Sequence, residues 1–299
     1  MFKINRREVP LHLMVLPGIL LVLIFNYLPM MGIIIAFEKF IPARGLFGHQ
    51  KWVGLGNFKY VLDMPNTLQV LNNTLLIAVL KIIAGLAVPL IFALLINEIR
   101  SKTLKRSIQT MIYFPYFLSW IILGGILIDI LSPSEGIVNM TLKAIGINPI
   151  FFLGDNKWFP ITMVVSNTWK EFGFGTIIYL AAIAGIDPVL YEAAIIDGAS
   201  RWKQTLHVTL PGMIMIIVLL TVLSMGNILN AGFDQVFNLY SPQVYESGDI
   251  LDTLVYRLGL LQYQYGPATA VGLFKSIVST FLICTSYYLA YKVAKYRIF

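Results

Sequence analysis

The sequence has little charge for its length. Only 12% of its 299 residues are Asp, Glu, Lys or Arg, about half the share found in soluble domains. The charges fall between long apolar runs, and 58% of the residues are hydrophobic. A soluble fold cannot bury such runs, whereas the hydrocarbon of a bilayer can. The composition therefore excludes an ordinary soluble protein and predicts an all-α membrane protein.

Residue types that support metal, redox or ATP chemistry are also scarce. The one cysteine, Cys284, cannot form an internal disulfide, and its apolar surroundings predict a small packed side chain. The three histidines form no His-Glu-x-x-His zinc motif, and no lysine follows a glycine as a P-loop requires. We therefore expect no metal, no cofactor and no catalytic residue in this chain.

Six apolar stretches are long enough to cross a bilayer, which takes about 20 residues. The predicted spans are Leu13–Phe37, Asn73–Ile96, Ile108–Leu131, Phe159–Ile183, Val208–Leu229 and Ala268–Ala290. The first is longer than the apolar core of a signal peptide and is followed by no cleavage site, so we expect it to be retained. Pro211 suits the first turn of the fifth span, where its missing N–H leaves no hydrogen bond unmade.

The distribution of Lys and Arg predicts the orientation. Both termini fall on the side that carries twelve of these residues: Lys3, Arg6, Arg7, Arg100, Lys102, Lys105, Arg106, Arg201, Lys203, Lys292, Lys295 and Arg297. The other side carries seven: Lys39, Arg44, Lys51, Lys59, Lys143, Lys157 and Arg257. Because positive charge accumulates on the cytoplasmic side, we expect a multi-pass membrane protein with both termini in the cytoplasm. The net charge of +7 follows from this bias and requires no nucleic-acid partner.

The segment Gly185–His207 has a helical pattern but too many charges to span the bilayer. In it, Glu192-Ala193-Ala194 is followed by three residues and Gly198, then by nine residues and Val208-Thr209-Leu210-Pro211. This spacing resembles the EAA signature of the permease subunits of binding-protein-dependent ABC importers, with Val208 where the family most often has Ile.

Each part of this pattern has a physical role. Asp187 can cap a helix whose first position is Pro188. The two small alanines let the backbone of another protein approach closely, and the glutamate offers a charge to a partner's Arg or Lys. Gly198 can turn the chain sharply at the end of the helix. The local sequence therefore predicts a short helix that ends in a tight turn.

The resemblance implies about six transmembrane helices, with a cytoplasmic coupling helix between the fourth and fifth and the EAA loop at 186–211. In the family this helix lies in a cleft of the ATPase and transmits its closure to the membrane. The residues implied to couple the chain to the ATPase are Tyr191, Glu192, Ala193, Ala194, Asp197, Gly198, Ala199 and Arg201.

Three further segments resemble permeases that import oligosaccharides released from complex polysaccharides: Gly232–Gln235, Asp252–Gly259 and Ala270–Phe274. The resemblance implies a complex in the bacterial plasma (inner) membrane. This complex contains this chain, a second homologous permease in a heterodimer, two ATPase subunits that hold ATP and Mg²⁺, and an extracytoplasmic solute-binding protein, surrounded by membrane lipid. We divide the chain into residues 1–70, which hold the N-terminal segment, the first span and an outer loop, and residues 71–299, which form the permease core.

Polar side chains within spans are costly unless they face a cavity or a partner, and sugars are bound by amides and aromatic rings. The candidate substrate-pathway residues are Lys81, Asn167, Trp169, Lys170, Glu171, Tyr179, Asn227, Asn230 and Lys275, to which Asp129 and Tyr287 are added as weaker candidates. Each could instead join helices or extend to the interface. The three lysines favour an anionic sugar, such as a uronate-containing oligosaccharide.

Two other functions stay open at this point. A permease for a non-sugar solute would share the EAA loop. An ion-driven secondary carrier would show an inverted internal repeat and mid-span carboxylates, and only Asp129 and Glu171 lie near such places.

Overall fold

The computed structural model describes residues 9–294. Five of the basic residues counted for the predicted orientation lie outside this range: Lys3, Arg6, Arg7, Lys295 and Arg297. The chain divides into two compact units, with boundaries after residues 64, 254 and 274. The predicted division at residue 70 stays a prediction.

The first predicted span begins the first unit. Helix α1 is Val9–Val22, and the helical path continues through a π turn at Leu23–Tyr27, a short α segment at Leu28–Met30 and a 3₁₀ segment at Met31–Phe37. Pro29, in the short segment, has no N–H, and its ring would crowd the carbonyl one turn earlier in a regular α-helix. The wider π turn before it makes room for the ring. Nearly all side chains of α1 are exposed, as expected of a helix solvated by hydrocarbon.

A small hairpin and a short helix follow in the same unit. Strands β1 (Glu38–Lys39) and β2 (Lys51–Trp52) pair antiparallel, and helix α2 is Gly56–Leu62. The amide of Asn57 donates to the backbone oxygens of Ala36 and Glu38 at 2.9 and 3.0 Å. This amide ties α2 to the end of the first span.

The remaining helices are α3 Thr67–Asn97, α4 Lys102–Tyr113, α5 Trp120–Ile130, α6 Ile137–Ala144, α7 Trp158–Ala184, α8 Pro188–Ile196, α9 Arg201–Gln204, α10 Leu210–Met225, α11 Phe233–Leu239, α12 Tyr245–Gly248, α13 Leu251–Tyr256 and α14 Tyr265–Ala294. Short 3₁₀ segments lie at Pro42–Arg44, Phe114–Phe117 and Pro242–Val244, and π turns lie at Thr205–Thr209 and Arg257–Leu261.

Four helical runs of the described chain are long and apolar enough to cross a membrane: Val9–Phe37, Thr67–Asn97, Arg201–Met225 and Tyr265–Lys292. Two bent pairs meet the same criterion when each is counted as one span. The first joins Lys102–Phe117 to α5 at 102°, and the second joins α7 to α8 at 70°. The all-α membrane fold is confirmed, with up to six spans in residues 9–294.

Three local predictions need correction. The predicted span Ile108–Leu131 is broken at Leu118 and Ser119, where the serine hydroxyl accepts a hydrogen bond from the first turn of α5 and starts a new helix direction. The fifth span is helical from Arg201, because a π turn just before α10 absorbs Pro211 inside a continuous helix. Cys284 is exposed on α14, because the described chain by itself leaves this face of the helix uncovered.

Helices α3 and α7 form the scaffold of the second unit. They pack along each other, and two buried clusters lie on this pair. One cluster includes Ile77, Phe159 and Val236, and the other includes Ala93 and Tyr179. The two helices that these clusters join carry several candidate site residues, among them Lys81 on α3 and Lys170 on α7.

Candidate functional site

The segment that carries the EAA pattern folds as its local sequence predicts. The Asp187 carboxylate accepts a hydrogen bond from the Val189 N–H at 2.9 Å, and Pro188 occupies the first helical position of α8. This is an N-cap in which the proline has no N–H left unsatisfied. The start of α8 is therefore fixed by two adjacent residues.

The end of α8 is a complete Schellman motif. Gly198 has φ +71°, and its N–H donates to the Ile195 carbonyl at 3.0 Å, while the Ala199 N–H donates to the Ala194 carbonyl at 2.9 Å. These two hydrogen bonds satisfy carbonyls that the helix end leaves free, and the left-handed turn is why glycine stands at this position. The loop leaves α8 with a defined geometry.

Two polar contacts connect this loop to the spans. The Tyr191 hydroxyl lies 3.0 Å from the Thr209 hydroxyl, in the π turn that precedes α10. The Arg201 guanidinium donates to the Glu98 carboxylate at 2.6 Å, next to the end of α3. Two of the predicted ATPase-coupling residues therefore bond within the chain, and they connect α8 and its following turn to two different spans.

The rest of α8 presents a mixed apolar and acidic surface. Glu192 and Asp197 are exposed, and Glu192 forms no ion pair within residues 9–294. Large apolar side chains on the same segment are also exposed: Val189, Leu190, Ile195, Ile196 and Trp202. An exposed apolar patch rimmed by charge is typical of a protein docking site.

A charged and aromatic cluster lies near the middle of α7. The Lys170 amine donates to the Tyr116 carbonyl at 2.9 Å, lies 3.3 Å from the Glu171 carboxylate, and stands 5.0 and 5.7 Å from the ring centroids of Tyr116 and Trp120. The Tyr116 ring stacks on Phe174 at 4.3 Å. The Lys170 side chain is 9% exposed and that of Glu171 is 41% exposed. The carboxylate is therefore the accessible member of the pair.

Lys81 lies near the middle of α3 and is 8% exposed. Its amine donates to the Ala231 carbonyl and to the side-chain oxygen of Gln235. The Gln235 amide in turn donates to the Met163 carbonyl and the Ser166 hydroxyl, both at 2.8 Å. This buried polar chain joins α3, the start of α11 and α7.

The other predicted pathway residues are placed differently from one another. Lys275 forms an ion pair with Asp252 at 2.5 Å, and both side chains are 22% exposed. Tyr179 is 1% exposed in the core, and its hydroxyl has no hydrogen-bond partner among the described residues. Asn227 and Asn230 are exposed in the turn between α10 and α11.

On α7, Trp169 is exposed and Asn167 is half-buried, while Tyr287 is half-buried on α14 and Asp129 is exposed at the end of α5. The structure therefore brings Lys170, Glu171 and Tyr116 together, and it brings Lys81 beneath the turn that presents Asn230.

Four partner residues were missed by sequence reasoning. Glu98, Tyr116, Gln235 and Asp252 each hold a predicted residue in place. Gln235 and Asp252 lie in segments that resembled sugar permeases, which was the one available signal. Among residues 9–294, no group of His, Cys, Asp and Glu side chains is arranged to hold a metal ion.

Comparison with known proteins shows similarity along nearly the whole chain. The chain is 42% identical over 287 residues to protein LplB of Bacillus subtilis (strain 168), which covers 96% of this chain and 90% of that protein. It is 40% identical over 289 residues to the polygalacturonan/rhamnogalacturonan transport system permease protein YteP of the same organism, covering 97% and 90%.

Two solved structures have the same fold. One is a bacterial ABC transporter involved in the import of the acidic polysaccharide alginate, with a TM-score of 0.89 and 38% identity over 96% of this chain and 97% of that one. The other is a bacterial alginate ABC transporter in complex with an alginate pentasaccharide-bound periplasmic protein, with a TM-score of 0.90 and 37% identity over 98% of both chains. Residues 85–295 also match the family described as the binding-protein-dependent transport system inner membrane component. This chain therefore belongs to that family of ABC-importer permeases.

Proposed function

We propose that this chain is one of two permease subunits of an ATP-driven importer and that it carries acidic oligosaccharides inward across the plasma membrane. The observation that carries the proposal is the exposed helix α8 with its EAA pattern, in a chain similar over 96% of its length to a subunit of an alginate importer. The named substrates of the relatives, polygalacturonan, rhamnogalacturonan and alginate, support an acidic sugar.

The proposed assembly contains three further kinds of protein. Two ATPase subunits hold ATP and Mg²⁺, and one of them docks on α8. A second homologous permease completes the pathway, and an extracytoplasmic protein delivers the sugar. The alginate transporter solved with a sugar-bound periplasmic protein supports the last of these. The excess of Lys and Arg on the side of α8 supports its position in the cytoplasm, together with both termini.

The contacts of the coupling loop support a mechanism of alternating access. ATP-driven closure of the ATPases would push α8, and the push would reach α10 through Tyr191 and Thr209. It would reach α3 through Arg201 and Glu98. Because α3 packs along α7, one movement at α8 would reach the helices that carry Lys81 and Lys170, and also α10, which leads into the turn that carries Asn227 and Asn230. This chain's own residues transmit force and line the route, and covalent chemistry stays with the ATPases.

The local charges support an acidic sugar less directly than the sequence predicted. Lys170 and Lys275 each lie beside a carboxylate, so two of the three intramembrane lysines are neutralised in the chain by itself. A uronate can still bind near Lys170, because the aromatic rings of Tyr116 and Trp120 offer sugar faces to stack on. The acidic substrate therefore rests mainly on the relatives.

The test of the proposed function is purification of the tagged chain from native membranes, followed by reconstitution of whatever co-purifies. We expect an ATPase, a second permease and a solute-binding protein, and ATP-dependent uptake of galacturonan or alginate oligomers faster than that of neutral oligomers of equal length. Uptake by the chain alone without ATP would instead identify a secondary carrier. Faster uptake of neutral oligomers would reject the acidic substrate and leave the importer assignment standing.

Replacing Lys170 by Gln is expected to lower uptake of an acidic oligomer about tenfold and that of a neutral oligomer less than about threefold. The substitution leaves the accessible Glu171 carboxylate without its cation, and this carboxylate then repels a uronate. The measurement is initial uptake in vesicles that contain the complete assembly.

The double variant Lys170→Gln, Glu171→Gln is the control for this prediction. It restores local neutrality, so the acidic oligomer should recover relative to the single variant. An equal loss of acidic and neutral uptake in the single variant would contradict a role for this pair in selectivity.

A further inference from the structure

Lys81 is an unusual residue for the interior of a membrane protein. It lies near the middle of a 31-residue helix and is 8% exposed. Among the described residues its amine contacts a backbone carbonyl and a neutral amide, and no carboxylate lies in ion-pair contact with it. A buried amine gives up its hydration, whereas an apolar side chain of the same length would fill this space without that loss. The polar contacts of Lys81 therefore call for an explanation other than packing.

The contacts of Lys81 converge on one segment. Ala231 follows Asn230 directly, and Gln235 lies in the first turn of α11. Between them, Gly232 has φ +90°, and a Cβ there would lie 3.1 Å from the lysine nitrogen. The backbone thus closes over the amine, and the left-handed glycine allows this close approach. Lys81 holds both ends of the turn that enters α11.

The turn is fixed on its other side by α7. Gln235, 1% exposed, donates to Met163 and to Ser166, so the lysine and two residues of α7 hold the same amide from opposite directions. In the turn just before Ala231, Leu229 packs into the core with 2% exposure. Asn227 and Asn230 are exposed, and the Asn230 side chain caps the turn through the Gly232 N–H at 3.2 Å.

We propose that Lys81 is a positioning residue that holds the Asn227–Asn230 turn in the geometry that binds sugar, while its own amine never touches the sugar. A charged or neutral amine donates the same two hydrogen bonds, so the role depends on geometry and not on attraction of an anion. This inference rests on the proposed carbohydrate pathway, because it assigns to Asn230 the contact with substrate that Lys81 supports.

The test is equilibrium binding of the acidic oligomer that the wild-type assembly transports, such as alginate pentasaccharide. It is measured on the permease–ATPase complex in nanodiscs without the binding protein. Lys81→Gln and Gln235→Leu should each raise Kd about tenfold. Ser166→Ala removes one acceptor of the Gln235 amide and should raise Kd about threefold. In an Asn230→Ala background, Lys81→Gln should add less than about twofold, because the group that it positions is gone. The basal ATPase rate of the assembled complex should change less than about twofold in the Gln235→Leu and Ser166→Ala variants, whose residues lie outside the proposed sugar pathway.

The matched control is Thr176→Val. The Thr176 hydroxyl is also buried, at the α3–α7 contact. It donates to the carbonyls of Phe172 and Pro89 and forms no hydrogen bond with the turn among the described residues. This variant should leave Kd unchanged.

A full tenfold effect of Lys81→Gln in the Asn230→Ala background, or an effect matched by Thr176→Val, would overturn the inference and leave the pathway proposal intact. An unchanged Kd in Asn227→Ala and Asn230→Ala would overturn the pathway proposal itself. If Lys81→Gln does not assemble, the Gln235→Leu and Ser166→Ala variants decide by the same criteria.

Discussion

Replacing Glu192 by Arg is expected to lower ATP-driven sugar uptake more than tenfold while the chain still inserts and folds. Glu192 is exposed on α8 and forms no ion pair within residues 9–294, so the charge reversal leaves the chain's own contacts intact. A partner's Arg or Lys that meets this carboxylate would instead face a like charge, which costs several kcal/mol at a buried interface. The measurement is uptake together with the amount of ATPase that co-purifies.

The control for this prediction is Glu135→Arg, which makes the same charge change at another exposed position, on the side opposite α8 in the predicted topology. It should leave ATPase binding unchanged. Normal uptake by the Glu192 variant would remove the coupling assignment of α8.

The same helix allows a backbone test of coupling. Gly198 has φ +71°, and a Cβ at this position would meet nothing within 4 Å. Gly198→Ala therefore meets only the strain of the left-handed region, about 1–2 kcal/mol. Asn adopts this region more easily, so Gly198→Asn should keep more uptake than Gly198→Ala. The reverse order would show that the turn geometry does not govern coupling.

The coupling loop was predictable because its structure is local. Its N-cap, its first-position proline and its glycine turn depend on residues within about ten positions of one another, and each has a strong conformational preference. The observed hydrogen bonds of Asp187, Gly198 and Ala199 follow the sequence closely. A local pattern could not predict that Arg201 bonds to Glu98, because the two residues are 103 positions apart.

The partners of the intramembrane charges were less predictable, because they lie far away in the sequence. Lys81 contacts residues 150 and 154 positions away, and Lys275 contacts a residue 23 positions away across a turn. A hydropathy reading finds the lysines but not their partners, so it overstated the free positive charge. It also treated Ile108–Leu131 as one span, because hydrophobicity does not report direction, and only Pro115 and Ser119 hinted at the break.

Gly173→Val is expected to prevent stable assembly and to reduce the amount of folded protein severely. A Cβ on Gly173 would lie 1.9 Å from the Ile112 carbonyl oxygen and 2.5 Å from its carbon. These are backbone atoms of α4, so relief requires the two helices to separate. Small residues allow membrane helices to approach closely and pack, and overpacking a well-filled contact costs about 1–3 kcal/mol or more.

The position of this contact makes the loss functional as well as structural. Gly173 is three residues from Lys170 on α7, whose amine donates to the Tyr116 carbonyl, so separating α4 from α7 also disrupts the charged and aromatic cluster. Gly173→Ala should show the same defect in weaker form. The matched control is Gly85→Val, since a Cβ at Gly85 on α3 meets nothing within 4 Å. Thermal unfolding and size-exclusion profiles of the purified assembly measure the difference. Equal stability of the Gly173 and Gly85 variants would mean that the α4–α7 approach is looser than the geometry requires, and the cluster around Lys170 would then lose its structural basis.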